Sequence, residues 1–320
     1  MGAEIWTIVI FYSSVPLPPT LFPLQISFII PVRRKLSGLR TTLVSLEAQE
    51  GLTQAEVIVV NDGADPAISG FLKNLAFPFS VYEIPVHTSK GSYNARNLGI
   101  RQATAPYLIF LDDSILLPPD WFLKLKPLLA QFAYIACEVR IQKEHEEKLS
   151  EKFFRLTAFQ TARYVQAHNF GLTCCLAVQK QAFEKTGLFD DHIFSGGDRE
   201  FGQRLHGLGL SQTYFDAAMA LHPAKDWQQQ FRVQTRIYKG MLDLAKRYPE
   251  RYSQLRPTSM QLLHNFYGLV KSLLFASRIP LYQSGAFTYR EWVVVKLFST
   301  WLYSKALIKI LVWKKRDFNE

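Results

Sequence analysis

Tyr107-Leu-Ile-Phe-Leu111, followed at once by Asp112-Asp113-Ser114, is the stretch on which the reading of this chain turns. Five consecutive apolar residues read as a strand buried on both faces, and such strands belong to parallel sheets covered by helices on both sides. Two carboxylates directly behind the strand repel each other and lose hydration unless a cation or ligand balances them. Upstream the same arrangement recurs. Glu56-Val-Ile-Val-Val60 ends at the turn Asn61-Asp62-Gly63, and Ile26-Ser-Phe-Ile-Ile-Pro31 reads as a third buried strand. Between them, Leu36, Leu39, Leu43 and Leu46 fall at helical spacing across residues 36–49. The pattern also predicts helices over 66–75 and 92–103 and a strand over 79–84. The alternation gives an α/β fold, a Rossmann-like and mostly parallel sheet flanked by helices. Ligands of such sheets bind beyond the carboxyl ends of the strands, where Asn61-Asp62 and Asp112-Asp113 both fall.

Downstream the spacing predicts a helix over 121–131, then a less regular middle. The charge-rich stretch 143–155 reads as a solvated helix, and 171–178 resumes strand character. Gly196-Gly197-Asp198 opens a helix through Leu205, and His222 in Leu221-His222-Pro223 follows the last core strand. No internal repeat is visible.

The 320 residues suit one large α/β domain with an appendage. An apolar fraction of 48% with 20% charged residues excludes a disordered chain. The net charge of +10 is unevenly placed: residues 225–320 hold 17 Lys+Arg against 6 Asp+Glu, and the remainder is close to neutral. A basic segment points to nucleic acid, anionic lipid or an anionic substrate; no nucleic-acid-binding motif accompanies it, so nucleic acid is set aside. Cys137, Cys174 and Cys175 form no CxxC pair and read as buried small hydrophobes in a reducing compartment. The apolar run 5–12 is too short to span a bilayer and no Lys or Arg precedes it, so a secretory signal is not expected. The organisation expected is an extension over 1–24, a main domain over 25–224 and a basic helical region over 225–320.

Within that last region, 227–248 reads as helical and basic, 262–275 as apolar, and 289–316 as a long apolar segment with Trp292, Trp301 and Trp313. Lys296, Lys305 and Lys309 interrupt it, and its longest uncharged run, 297–304, is far too short to cross a membrane. Two readings stay open: a helix lying at an anionic membrane surface, and a helix packed on the domain or at a dimer contact. A cytoplasmic protein, peripheral on the inner face of the plasma membrane, is the expected setting.

Four groups carry chemistry. Asp62 at a strand end can accept hydrogen bonds from a base or ribose, although Asn-Asp-Gly is also an ordinary turn. Asp112 and Asp113 suit Mg2+ or Mn2+, which often take one or two carboxylates plus phosphates; the plain alternative is a pair of acids ahead of a helix. Gly91-Ser-Tyr-Asn-Ala-Arg-Asn97 can open a helix whose amides suit an anion, with Arg96 as a fixed positive charge. Asp198 stands at a helix start, either as a general base or as an N-cap. Glu200, two positions on, cannot share its face, so one of the two carboxylates is expected to face the cleft and the other to pair elsewhere, with an arginine for example. His222 is a candidate third metal ligand, although a lone histidine is more often structural.

In order, Ile29-Ile-Pro31, Val57–Ala64, Ala95-Arg-Asn-Leu-Gly99, Phe110–Ser114, Gly187-Leu-Phe-Asp190 and Gly197-Asp198 resemble the motifs of the family-2 glycosyltransferases with the GT-A fold. The resemblance implies a nucleotide pocket lined by Pro31, Asp62 and Arg96, with Asp112 and Asp113 on ribose and metal. It implies Asp198 as the base of an inverting, single-displacement transfer, with Arg199 and Glu200 bordering the acceptor. A UDP or dTDP sugar is the donor it favours, and a glycan or lipid-linked molecule the acceptor. The sequence departs from the family pattern at Arg33-Arg34, Asn61, Ser114 and Gly197. The departures at Ser114 and Gly197 motivate an alternative, a catalytically inactive nucleotide-sugar-binding or scaffold protein of the same fold.

Overall fold

The computed structural model of the protein describes residues 25–143 and 148–316. The extension expected over 1–24 lies outside the described residues, as does the middle of the charge-rich stretch. Seven strands, β1 (Gln25–Val32), β2 (Gln54–Asp62), β3 (Ser80–Val86), β4 (Tyr107–Leu111), β5 (Tyr134–Ile141), β6 (Cys175–Gln179) and β7 (Gln212–His222), form one sheet in the order β3-β2-β1-β4-β6-β5-β7. Only the pairings of β6 are antiparallel. Around the sheet lie α1 (Leu36–Glu47), α2 (Pro66–Lys73), α3 (Ser92–Gln102), α4 (Trp121–Leu129), α5 (Leu149–Thr157), α6 (Thr161–His168), α7 (Lys180–Thr186) and α8 (Gly197–Gly207). A helical bundle follows: α9 (Trp227–Arg247), α10 (Pro249–Tyr252), α11 (Met260–Leu274), α12 (Pro280–Gln283) and α13 (Tyr289–Arg316).

The strands bury both faces because their apolar residues are consecutive. Phe28, Ile30, Val57, Val59, Ile109 and Leu111 join the core beneath α1 and α4. Ile29, Ile58, Val60, Leu108 and Phe110 join the core beneath α3, α7 and α8. Each fully buried side chain of this size stabilises by about 1.5–3 kcal/mol. The strand order runs outward in opposite directions from β1 and from β4, so a crevice opens between their carboxyl ends. β1 pairs with β4 only as far as Ile29 opposite Phe110, and Pro31, which has no N–H to donate, lies beyond that pairing.

Three expectations needed correction. β5 was not foreseen in the irregular middle. The strand expected over 171–178 begins only at Cys175. The helix expected to be solvated within 143–155 appears as α5, and it buries Phe153 and Phe154 against Phe287 and Trp292. That cluster also takes in Ile141 of β5, so the sheet and the bundle share packed side chains. The three cysteines are free and buried. Among the described residues, no helix is long and apolar enough to cross a membrane.

Candidate active site

Helix α3 sets the first wall of the crevice. A Cβ on Gly99 would stand 2.4 Å from Ile29, so only glycine lets α3 lie this close to β1. Asn97 locks a distant loop, donating from Nδ2 to the Phe189 carbonyl (2.9 Å) and accepting the Phe189 N–H (3.1 Å). Arg96, one residue earlier, is 3% exposed. Its Nη2 donates to Asp112 Oδ1 at 2.6 Å, while its Nε is buried without an acceptor among the described residues. A buried donor left over at a cleft is what a ligand oxygen would satisfy.

The Asp112 side chain is 37% exposed, so the ion pair leaves one side of it open. Burial works against its charged form, but Arg96, with His222, Lys225 and Arg236 behind it, outweighs this and holds the carboxyl below the usual range. Asp113 goes the other way. Burial pushes it up, Asp112 adds to this, and Lys35, 3.5 Å away, opposes them. Adjacent carboxylates of opposite tendency suit a divalent cation, which would relieve both burial and repulsion.

The end of β7 is brought to this loop by paired backbone bonds between Leu116 and Leu221 (2.9 and 2.8 Å). His222 follows, with its Nδ1 2.8 Å from the Pro223 carbonyl. That contact puts the proton on Nδ1 and leaves Nε2 as a lone-pair donor. Burial and the Lys225 charge push its pKa down to about 4, so the ring is neutral, the form that binds metal. Among the described residues, however, the only trio whose ligand atoms all lie within 4.8 Å of one another is Asp190, Asp191 and His192. Asp112, Asp113 and His222 are not gathered so tightly. The Asp190 trio is already engaged: Asp190 accepts from Arg247, Tyr248 and the His192 N–H, and Asp191 accepts from Asn94. The first three bonds outweigh burial and hold the Asp190 carboxyl below its usual range. They tie the bundle to the sheet.

Asp198 stands on the facing wall, inside the first turn of α8. Gly196 is the N-cap, so Asp198 is not at the capping position, although its carboxylate accepts the otherwise free Arg199 N–H of the first turn. The Tyr93 hydroxyl donates to Asp198 Oδ1 and accepts the Asp198 N–H, both at 3.2 Å, and the Arg199 N–H donates to the same oxygen at 3.0 Å. Burial pushes the carboxyl above its ordinary value in spite of these donors and the Arg96 charge. Glu200 turns inward and pairs with Arg204 at 2.8 Å, buried and away from the crevice. The separation of positions 198 and 200 is therefore as expected, but Glu200 does not border an open site. The Arg199 guanidinium lies over Phe170, 5.6 Å from the ring centroid, with its Nε buried and without an acceptor among the described residues.

The departures at Gly197, Asn61 and Ser114 have local packing or hydrogen-bond partners, and nothing in the structure explains Arg33 and Arg34. A Cβ at Gly197 would meet the Tyr93 ring at 2.8 Å, so the tyrosine that holds Asp198 excludes a larger residue there. Asn61 donates to Glu83 Oε1 (2.8 Å) and accepts the Asp65 N–H (2.9 Å); an aspartate would face Glu83 instead. Ser114 bonds Asp113, and a Cβ on Gly38 would stand 2.5 Å from its Oγ, so α1 presses on the loop. Arg34 adopts a left-handed φ of 53°, a conformation that suits asparagine better. Asp62 is buried and accepts from Ser89 Oγ at 2.7 Å. Lys225, Arg236 and the partnership of Tyr93 with Asp198 were missed from the sequence. Lys225 lies only three residues past His222, and Tyr93 lies inside a quoted motif, but their roles depend on the fold.

Residues 27–187 match the model of Glycosyl transferase family 2. The glycosyltransferase AglE of Haloferax volcanii is 25% identical over 223 residues, covering 68% of this chain and 73% of that protein. The pre-mycofactocin glycosyltransferase of Mycobacterium tuberculosis is 27% identical over 250 residues, 72% of this chain but only 50% of that one. Among solved structures, the mannosyltransferase PcManGT of Pyrobaculum calidifontis, in complex with GDP-Man and Mn2+, superposes with a TM-score of 0.62 at 16% identity, covering 92% of this chain and 89% of that one. A matched profile that spans half the chain, on a sheet with its acidic residues at the β1–β4 crevice, settles the assignment: the chain belongs to glycosyltransferase family 2.

Proposed function

We propose that the protein is an inverting glycosyltransferase that moves a sugar from a UDP or dTDP donor to a hydroxyl of a glycan or lipid-linked acceptor. Asp198 is the general base, Pro31, Asp62, Arg96 and Asp112 hold the donor, and Arg199 borders the acceptor. Asp112 and Asp113, with His222 as a third candidate, would hold Mg2+ or Mn2+, which would supply Lewis-acid stabilisation of the departing diphosphate. The observation that carries the reading is the Asp198 carboxylate. Every hydrogen bond it accepts from a described residue reaches Oδ1, which leaves Oδ2 to the cleft, and burial raises its basicity. The acceptor oxygen bonds to the anomeric carbon, its proton passes to Oδ2, and the bond to the diphosphate breaks with its electron pair on the leaving group. Arg96 and Lys225 supply positive charge on that side. The alternative, a catalytically inactive nucleotide-sugar-binding or scaffold protein of the same fold, predicts donor binding without transfer or hydrolysis.

Action at an anionic membrane surface, on its cytoplasmic side, is part of the proposal, and exposed apolar side chains on α11, with Val294, Leu297, Trp301 and Ile308 on α13, support it. Leu263, Phe266, Tyr267, Val270 and Leu274 lie on one face of α11; Leu263 and Phe266 are 64% exposed and Leu274 72%. That is a contiguous apolar stripe beside a basic bundle. The enzymatic reading is tested by Asp198→Asn. Transfer should fall about 10²–10⁴-fold while donor affinity stays within about twofold; ordinary turnover in the variant would remove Asp198 from the role.

A further inference from the structure

A groove runs between α9 and α13. Its larger part, about 710 Å3, is lined by Phe231, Arg232, Arg236, Lys239, Lys309 and Val312, among others. A second part of about 380 Å3 shares Phe231 and Arg232 and reaches Trp227, Trp301 and Lys305. The lower-numbered residues of both helices line the second part and the higher-numbered ones the first. The helices therefore run side by side in the same direction, and the groove follows α9 for about 18 Å at 1.5 Å per residue. The floor is apolar and aromatic. The rim is cationic: the Lys305 and Lys309 ammonium groups stand 5.5 and 5.8 Å from the Phe231 ring centroid. Arg232 and Arg236 are exposed and make no ion pair or hydrogen bond with a described residue. At one end, the Lys239 ammonium stands 4.9 Å from the Phe194 ring centroid and Gly240 packs on Ser195, which sets this end beside the start of α8 and Asp198. At the other end, Trp301 is exposed.

Like charges gathered on an apolar floor are costly unless an anion answers them. A neutral glycan can stack on the aromatic rings but would leave the arginines unpaired. A molecule with an anionic head and a hydrocarbon chain satisfies both surfaces at once. We infer that the α9–α13 groove binds a single long-chain phosphate amphiphile, with its phosphate on Arg232 and Arg236 and its chain along Phe231 toward Trp227 and Trp301. The head group then lies at the Asp198 end of the groove, which makes the amphiphile the acceptor; that role, unlike the binding itself, rests on the function proposed above.

The test is calorimetry of the full chain with dodecyl phosphate kept below its micellar concentration, with dodecyl maltoside and inorganic phosphate as comparisons. Saturable one-to-one binding of dodecyl phosphate is expected, at least tenfold tighter than either comparison. Arg232→Ala/Arg236→Ala should weaken it at least tenfold; alanine is the best helix former and neither arginine supports a fold contact. Thr235→Trp, which fills the groove, should do the same with both arginines in place. UDP binding in Arg232→Ala and Thr235→Trp should persist. Equal affinity for dodecyl maltoside, or indifference to the substitutions, would overturn the inference. So would arginine-dependent binding to phosphatidylglycerol vesicles without binding of monomeric dodecyl phosphate, which would make bulk headgroups the partner. Arginine-dependent dodecyl phosphate binding with no UDP binding would leave the groove standing and remove the donor site instead.

Discussion

The crevice of the sheet and the bundle behind it use their charges in opposite ways. In the crevice the acceptors are held by directed partners: Arg96 faces Asp112, Lys35 faces Asp113, and Asp198 is bonded by Tyr93 and the Arg199 N–H. In the bundle cations outnumber acids, and many lie over aromatic rings instead of carboxylates, as Lys296 does over Trp292 and Lys305 over Trp301. Paired charges fix geometry, which a reaction centre needs. Cations over rings keep their charge available, which a surface that captures anions needs.

The comparison breaks most visibly at the shared cluster. Trp292 is 1% exposed, and its Nε1 donates to the Ser272 carbonyl at 2.9 Å. Trp292→Ala should cost about 3–5 kcal/mol in denaturant unfolding. If the bundle is only an attachment, nucleotide binding will survive in the cold; if the packing across Phe153 and Ile141 holds the crevice, binding will be lost as well. A smaller effect sharpens the surface side. Leu263→Glu/Phe266→Glu on α11 should leave the melting temperature nearly unchanged and lower partition onto phosphatidylglycerol vesicles about tenfold. Unchanged partition would return the stripe to a protein contact. The smallest effect lies in the crevice. The Asp198 pKa is raised in the folded chain, so ionising it at neutral pH costs stability, and the cost vanishes as pH falls through its folded value toward the ordinary 3.8. Asp198→Asn should therefore melt slightly higher than the parent at pH 7, with the gap closing toward pH 4. An equal or lower melting temperature at pH 7 would contradict the burial argument.

How much of this was legible in the sequence follows from the range of the forces involved. The strands β1, β2 and β4 announce themselves because both of their faces are buried, so their apolar residues run consecutively and need no tertiary context. The acidic ends of β2 and β4 were legible for the same reason. β5 was not, since Glu138 and Arg140 interrupt its pattern and pair with each other only once the strand exists. α5 was misjudged because the residues that cover Phe153 and Phe154 lie far along the chain: Trp227 at the start of α9, Phe287 just before α13 and Trp292 within it. The three lysines of α13 looked incompatible with any one face; the fold gives α13 two partners, α9 and α11, and still leaves Val294, Leu297, Trp301 and Ile308 exposed between the lysines. The tight Asp190 trio had no sequence signal as a unit, and its bonds to Arg247 and Tyr248 mark it as a tether.

The central claim is that a nucleoside diphosphate binds at the β1–β4 crevice with a divalent cation at Asp112 and Asp113. Calorimetric titration of UDP and dTDP with and without Mn2+, on the parent chain and on Asp112→Asn and Asp113→Asn, tests it most directly. The expected result is an affinity for one of the nucleotides that Mn2+ raises at least tenfold in the parent and in neither variant. No binding at millimolar nucleotide, or a Mn2+ effect that survives both substitutions and disappears with Asp191→Asn, would contradict it.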